Sequence, residues 1–474
     1  MDMDMGMGTD DGHHEHQETS APSGHGHSHD LDPALFEEFA ATSEPLGTIM
    51  ILHIFCMVVA FGILYPIGMV LGLSKNRWHV PVQILATAIF IAGYFLAHAH
   101  DGRNYEPHIA HRWFATIVIW VVSIQFGAGV YLKLHMEKGI HGRIRKWFVR
   151  LHKILGASIP VVGYVQIMLG VIATLGFCYA DHTGQCLAHF IMGSSFAAYG
   201  ILLLLSLRVG GPWLLRRGTS PEWYDSWVIM LWGIVNTFTE HRWGSSWSHG
   251  DYQHTSMGII WWVAGLLGIL LSRKGKRTVV PSILIILTAV AFQGHAQHVP
   301  NSGQIHSYFG YMLMAGGLSR IIEICFIWKE GDFTINPWQY IPPLTLLLAG
   351  FLFMGSTEEQ LKLLSTLMID VSSYSNVLLS FGFVVFMFAF VLIMLWERLT
   401  GYGSDYQYTE APSGFDLLEQ QPKIGVQTTT IAAVMMRMKT TMTMIVMIGT
   451  CWTTTFYMTK MLKFWNSSPP IGYR

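Results

Sequence analysis

The chain has 474 residues, 51% of them hydrophobic and only 12% charged, about half the charged share of an ordinary soluble domain, which excludes a soluble enzyme. Lysine plus arginine (29) and aspartate plus glutamate (30) nearly cancel, so no basic field exists to draw nucleic acid, and that partner drops out. Five scattered cysteines form neither a disulfide scaffold nor a zinc ribbon, whereas 23 histidines stand out, because ionisable side chains at membrane depth are costly and functional by default.

Residues 1–45 place Met at 1, 3, 5 and 7 and His at 13, 14, 16, 25, 27 and 29, a polar composition that builds no packed core and reads as a disordered tail. Thioethers and imidazoles at that density suit soft or borderline metals such as copper; a low-complexity leader without function is the bland alternative. No signal peptide is visible, since the first apolar run starts near Leu46. Either the tail crosses the membrane unaided or a cleaved leader is missing.

Apolar stretches of membrane-spanning length follow at 46–73, 80–98, 110–132, 154–177, 187–207, 226–240, 255–271, 279–294, 306–328, 338–355 and 374–396. The expectation is an all-α polytopic bundle of about eleven transmembrane helices, the sixth, eighth and tenth being short or broken, as at Pro342 and Pro343. Lysine and arginine crowd the links after segments one, three, five and seven, from Lys75 and Arg77 to Arg273, Lys274, Lys276 and Arg277. Those links are therefore cytosolic, the N-terminus is outside or lumenal, and the C-terminus is cytosolic. The short outer link carries Cys178 and Cys186, for which a disulfide and two unpaired thiols are both open. Beyond about 400 the chain reads as a cytosolic tail, and its run Met435-Met436-Arg437-Met438-Lys439 resembles an acidic tail translated out of frame.

One histidine sits in the first turns of each of the first four segments: His53, His79, His111 and His152. Successive helices enter from opposite faces, so His53 and His111 lie near the outer leaflet and His79 and His152 near the inner one. Facing neutral imidazoles are what a low-spin haem iron takes as axial ligands. Gln125 and Gly129 follow His111, and Gln166 and Gly170 follow His152, at identical offsets; glycines at such depths let a flat macrocycle or a helix approach closely.

The run Leu52-His53, Met57, Ala60-Phe61-Gly62, Pro66, Gly68-Met69, then Trp78-His79 and Gln83, then the two His/Gln/Gly helices, resembles the four-helix core of the cytochrome b-561 superfamily, here over residues 46–177. The resemblance implies two b-type haems, His53 and His111 sharing one and His79 and His152 the other, with transmembrane electron transfer. His98, His100 and His108 are nearby alternatives as ligands. The family's ascorbate-handling residues are not matched one to one: Arg143, Arg145, Lys146, Arg150 and Lys153 are positioned for an anionic donor, but read more simply as a cytosolic positive cluster. Such a core followed by a fifth helix and connection (178–222) and a second His-rich membrane half (223–398) resembles fungal YTP-type integral membrane proteins.

In that second half His241, His249, His254, His295, His298 and His306 all fall at outer helix ends, where they suit one compact metal or haem site for copper or iron, with Glu240 and Asp251 as ligands or orienters. Interfacial residues satisfying one another is the structural alternative. Arg320 and Glu323, one turn apart, are expected to pair, and Trp261-Trp262 to pack or face lipid. The whole reads as an integral protein of the plasma membrane or an endomembrane. It would pass electrons from a small-molecule cytosolic donor to an outer acceptor such as ferric or cupric ion. A metal-ion transporter and a non-catalytic membrane scaffold are the rivals.

Overall fold

A computed structural model describes residues 46–99, 110–178, 182–239, 241, 244, 246–294, 299, 301–329 and 334–402. The Met/His tail, His100, His108, Glu240, His295, His298 and the stretch after 402 lie outside them. The described residues from Gly47 onward belong to one compact unit whose regular elements are all helices. They are α1 (Thr48–Leu73), α2 (His79–His98), α3 (Ala110–Lys133), α4 (Ile140–Leu175), α5 (Thr183–Arg217), α6 (Pro221–Thr239), α7 (His249–Leu271), α8 (Val280–Gln293), α9 (Ser302–Ile327), α10 (Pro337–Met354), α11 (Glu358–Thr366) and α12 (Val371–Thr400).

Each of the eleven apolar stretches is helical, but among the described residues eight helices are long and apolar enough to cross a membrane, or nine if the bent pair α10–α11 makes one span. The three shortfalls have physical causes. Helix α6 carries Glu222 and Asp225 in its first turns. Helix α8 has 14 residues, about 21 Å of rise against the roughly 30 Å of hydrocarbon. Helices α10 and α11 meet at a 71° bend.

Three apolar clusters organise the described bundle. In the first half Phe61, Tyr65, Phe90, Phe114, Val118 and Ile159 are buried together. Phe61 lies in a π-helical stretch of α1, Val58–Leu64, and meets Phe90 edge-on at 5.3 Å. It also fills the space over Gly163, where a Cβ would stand 2.5 Å from its ring. In the second half Trp261, Phe309, Leu313, Leu352, Phe353 and Leu361 form the interior. Helix α4 belongs to the first through Ile159 and Leu169 and also to the third. Its Ile172, with Phe177 just beyond the helix end, packs with Phe190 and Leu347, and its Tyr164 hydroxyl lies 2.9 Å from the Ser194 hydroxyl of α5. At 36 residues, about 54 Å long, α4 exceeds a bilayer core, and Arg143, Lys146 and Arg150 are exposed on its first turns.

Lipid tails are as apolar as leucine, so helix association in a membrane depends on close approach at small residues. A Cβ on Gly193 of α5 would stand 2.6 Å from the Gly350 carbonyl oxygen of α10, and one on Gly350 would stand 2.5 Å from that of Gly193. Gly233 and Gly258 serve the α6–α7 crossing in the same way, the Gly258 carbonyl lying 2.8 Å from a Cβ on Gly233. Gly350→Leu is therefore expected to force α5 and α10 apart at a cost of about 3 kcal/mol, the upper range for overpacking. Thermal unfolding of the purified protein in detergent, read against wild type, checks this.

Each end of the bundle is tied differently. At one end Cys178 and Cys186 form a disulfide, and the Cys178 amide donates to Glu359 Oε2 at 2.8 Å. At the other end two carboxylates, each 1% exposed, are held between two guanidiniums. Glu222 accepts from Arg277 Nε and Nη2, both at 2.8 Å, and from Arg320 Nη2 at 2.8 Å. Glu323 accepts from Arg320, from Gln339 Nε2 at 3.0 Å and from Arg277 Nη2 at 3.4 Å. The expected Arg320–Glu323 pair is thus half of a four-residue ion cluster. Arg208 and Glu397 pair at that same end.

Candidate functional site

The first four helices bring their histidines together in two sets. On α1, His53 Nδ1 lies 2.8 Å from the Gly93 carbonyl of α2, and the ring is near enough to His111 on α3 to act on it electrostatically. His111 Nδ1 lies 3.2 Å from the Gln166 carbonyl of α4, and a Cβ on Gly170, one turn further, would stand 3.1 Å from the His111 ring. At the opposite end His79 Nδ1 lies 2.8 Å from the Gly68 carbonyl. Its ring faces that of His152 at 6.2 Å between centroids, with the planes at 83°.

The offsets shared by α3 and α4 have a geometric meaning: the two helices are antiparallel and reciprocal. His111 of α3 meets Gln166 and Gly170 of α4, while His152 of α4 meets Gly129 of α3, where a Cβ would stand 3.3 Å from the His152 ring. The Gln125 carbonyl stands beside the His152 ring in the place that the Gln166 carbonyl takes beside His111. Unlike His111, His152 leaves its buried Nδ1 without a hydrogen-bond partner. Gly72 completes the set on α1, with a Cβ there 2.7 Å from His79 Nδ1.

These residues bear on whether a bis-imidazole haem suits the site. A backbone carbonyl at Nδ1 fixes the tautomer and turns Nε2 toward the other helix, as metal-bound histidines require. Metal–imidazole bonds of about 2 Å put the centroids of two trans imidazoles roughly 6 Å apart, close to the His79–His152 separation. Glycine rather than a side chain flanks those rings. At the His53–His111 end the fit needs one rotation: the Gln166 amide donates to the His111 carbonyl at 3.0 Å and reaches Nε2 of the ring at 3.4 Å, so it must turn away before that nitrogen takes a metal. His98 is exposed, with Nδ1 3.0 Å from the Tyr94 carbonyl of its own helix.

The second-half histidines do not gather as one cluster among the described residues. His241 stacks on Trp247 at 3.9 Å between centroids, with Nδ1 3.1 Å from Asp251 Oδ2, and Asp251 in turn completes the capping box of α7 with Ser248. His249 is exposed, and the backbone of His254 accepts from Asn236 Nδ2 at 2.8 Å. His306, 6% exposed, faces a histidine outside the expected set: His189 of α5, at 6.1 Å between centroids and 89° between planes. The rule that found the first four would have reached this pair, since both residues lie in the early turns of odd-numbered segments and so at one face. Trp261, expected to pack, donates Nε1–H to Thr288 Oγ1 at 2.8 Å.

A cavity of about 360 Å³ opens inside the second half above the ion cluster, with Arg277, Arg320, Glu323 and Gln339 in its wall. The Tyr199 hydroxyl donates to Asp225 at its edge. Glu222 and Asp225 escaped the sequence reading because charges beside an apolar run are legible as a site only once their partners, up to 98 residues away, are known.

Helices of this length and apolarity, with polar side chains turned inward, define an integral membrane protein of the polytopic helical class. The chain belongs to the YTP1-like family. The family described as "Protein YTP1-like, C-terminal" matches residues 162–397, and a domain of unknown function, DUF2427, matches 35–135. Protein YTP1 of Saccharomyces cerevisiae is 39% identical over 338 residues, covering 69% of this chain and 72% of its own. Uncharacterized membrane protein C3B8.06 of Schizosaccharomyces pombe is 22% identical, with 68% and 88% covered. Uncharacterized membrane protein YCR061W of S. cerevisiae is 26% identical, with 48% and 44% covered. No solved structure matches the chain.

Proposed function

We propose that the first four helices form a two-haem electron-transfer core that carries electrons across the membrane. The observation that carries this reading is the His79–His152 pair, two imidazoles from separate helices at 6.2 Å with Gly72 and Gly129 beside them where side chains would otherwise close the space. A b-type haem bound at each end would supply reversible one-electron chemistry. The chain's own contributions are distinct. His53 and His111 at one end and His79 and His152 at the other offer Nε2, and the Gly93, Gln166 and Gly68 carbonyls hold three of the rings in one tautomer. Phe61, Tyr65 and Phe114 fill the layer between the two ends and keep it apolar.

Direction follows from charge and redox compartment. The basic links lie at the His79–His152 end and favour the cytosolic face, where Arg143, Lys146 and Arg150 meet a small-molecule donor. The disulfide sits at the His53–His111 end, as suits an oxidising outer or lumenal compartment. The acceptor there is a metal ion, ferric or cupric, gathered by the His/Met tail. Visible spectra of the full chain, expressed with ample haem and recorded oxidised and dithionite-reduced, test the proposal. A Soret shift and an alpha band of b-type haem are expected; their absence from well-folded protein removes the electron-transfer reading.

A further inference from the structure

The His189–His306 pair repeats the geometry of His79–His152 in different surroundings. Its centroid separation, 6.1 Å, again equals what two trans metal–imidazole bonds of about 2 Å produce. Both rings are oriented from behind by their own helices: His189 Nδ1 lies 2.9 Å from the Gln185 carbonyl and His306 Nδ1 2.8 Å from the Ser302 carbonyl, so each turns Nε2 away from its own backbone. The difference is the third side. Phe353, 3% exposed, stacks parallel to His189 at 4.6 Å and lies 6.2 Å from His306. That ring stands beside the line joining the two imidazoles at van der Waals range, in the space a macrocycle would need. Glycines keep the flanks open in the first half, whereas here an aromatic ring occupies one of them, which disfavours a macrocycle and favours a single ion.

The donors specify which ion. The imidazoles of His306 and His254 are the ionisable neighbours of His189 among the described residues. Met192 and Met257, one turn beyond His189 and His254 on their helices, pack on the same core as Phe353. Zinc seeks four ligands in a tetrahedron, whereas imidazole with thioether nearby, at low coordination number and in apolar surroundings, suits copper in its monovalent state.

We propose that His189 and His306 form a two-imidazole site for one monovalent copper ion, separate from the haem core and independent of whether that core binds haem. The test loads the full chain in detergent with Cu(I) under anaerobic conditions and titrates it against a chromophoric Cu(I) chelator. His189→Asn and His306→Asn are each expected to hold one copper ion fewer per chain than wild type, and the double variant no fewer than either single one. Copper taken up by the His/Met tail is common to all four proteins. Equal copper in the double variant and wild type overturns the proposal. So does loss of a haem band in His189→Asn, which would make the pair a haem site. Wild type alone provides a second measurement: after saturation with copper and exposure to ascorbate and peroxide, peptide mapping should find oxygen added at His189 and His306. Oxidation confined to the tail histidines overturns the proposal as well.

Discussion

If the first four helices hold two haems as proposed, His152→Ala is expected to halve the haem-to-protein ratio, removing the component at one end of the bundle and leaving the other spectrally unchanged. His79→Ala should give the same loss, and the His79/His152 double variant no more than either alone, because the two rings face each other at 6.2 Å and one missing axial ligand abolishes bis-imidazole ligation. His111→Ala should remove the other component. The combination His79→Ala with His111→Ala should therefore bind no haem. Reduced-minus-oxidised difference spectra, with pyridine haemochrome quantification, read all five proteins. Equal loss from both ends in a single variant would refute the pairing. Gln166→Ala provides an asymmetric control: with its amide 3.4 Å from His111 Nε2, its removal should perturb only the component that His111→Ala removes.

Glu222→Ala is expected to destabilise the protein by about 3–5 kcal/mol, the usual result of leaving a buried charge uncompensated. Glu222 is 1% exposed and takes three of the charge-assisted hydrogen bonds made by Arg277 and Arg320. Without it, two guanidiniums share the carboxylate of Glu323. Replacing Glu222 and Arg277 together by methionine should cost less than the sum of the single changes, since buried ion pairs exchanged for packed apolar groups are often neutral. Arg217→Ala, which removes only a contact of the guanidinium with the Trp213 ring at 5.2 Å, should shift stability by less than about 1 kcal/mol. Thermal unfolding of the purified variants distinguishes these outcomes. A Glu222→Ala protein as stable as wild type would mean that water reaches the cluster through the neighbouring cavity.

Much of the helical layout was legible because apolar run length is a strong signal in a membrane chain. Among the described residues eight or nine of the eleven expected crossings have the length and apolarity of a span, and charge, shortness or a bend sets α6, α8 and α10–α11 apart. The first-half histidines are legible because their depths alternate in step with helix direction, whereas the matched His/Gln/Gly offsets acquire their meaning only from the reciprocal contact of α3 and α4. In the second half a shared helix end is a weaker signal, and His295 and His298 lie outside the described residues. Being at the same helix end does not make residues neighbours: His241 is claimed by Trp247 and Asp251, whereas His306 turns to His189 across more than a hundred residues of chain. Such pairing depends on the α5–α10 and α9–α10 contacts, which no local pattern encodes.

Helix α4 binds the two family regions together. One region matches 35–135 and the other begins at 162, yet a single helix, Ile140–Leu175, runs through the gap between them. His152 falls in neither region, while Gln166 and Gly170, the counterparts of His111, fall in the second. Neither region expressed by itself would carry both members of the His111–Gln166 contact, so a fragment cut at either boundary is expected to lose the carbonyl that orients His111 or the histidine itself.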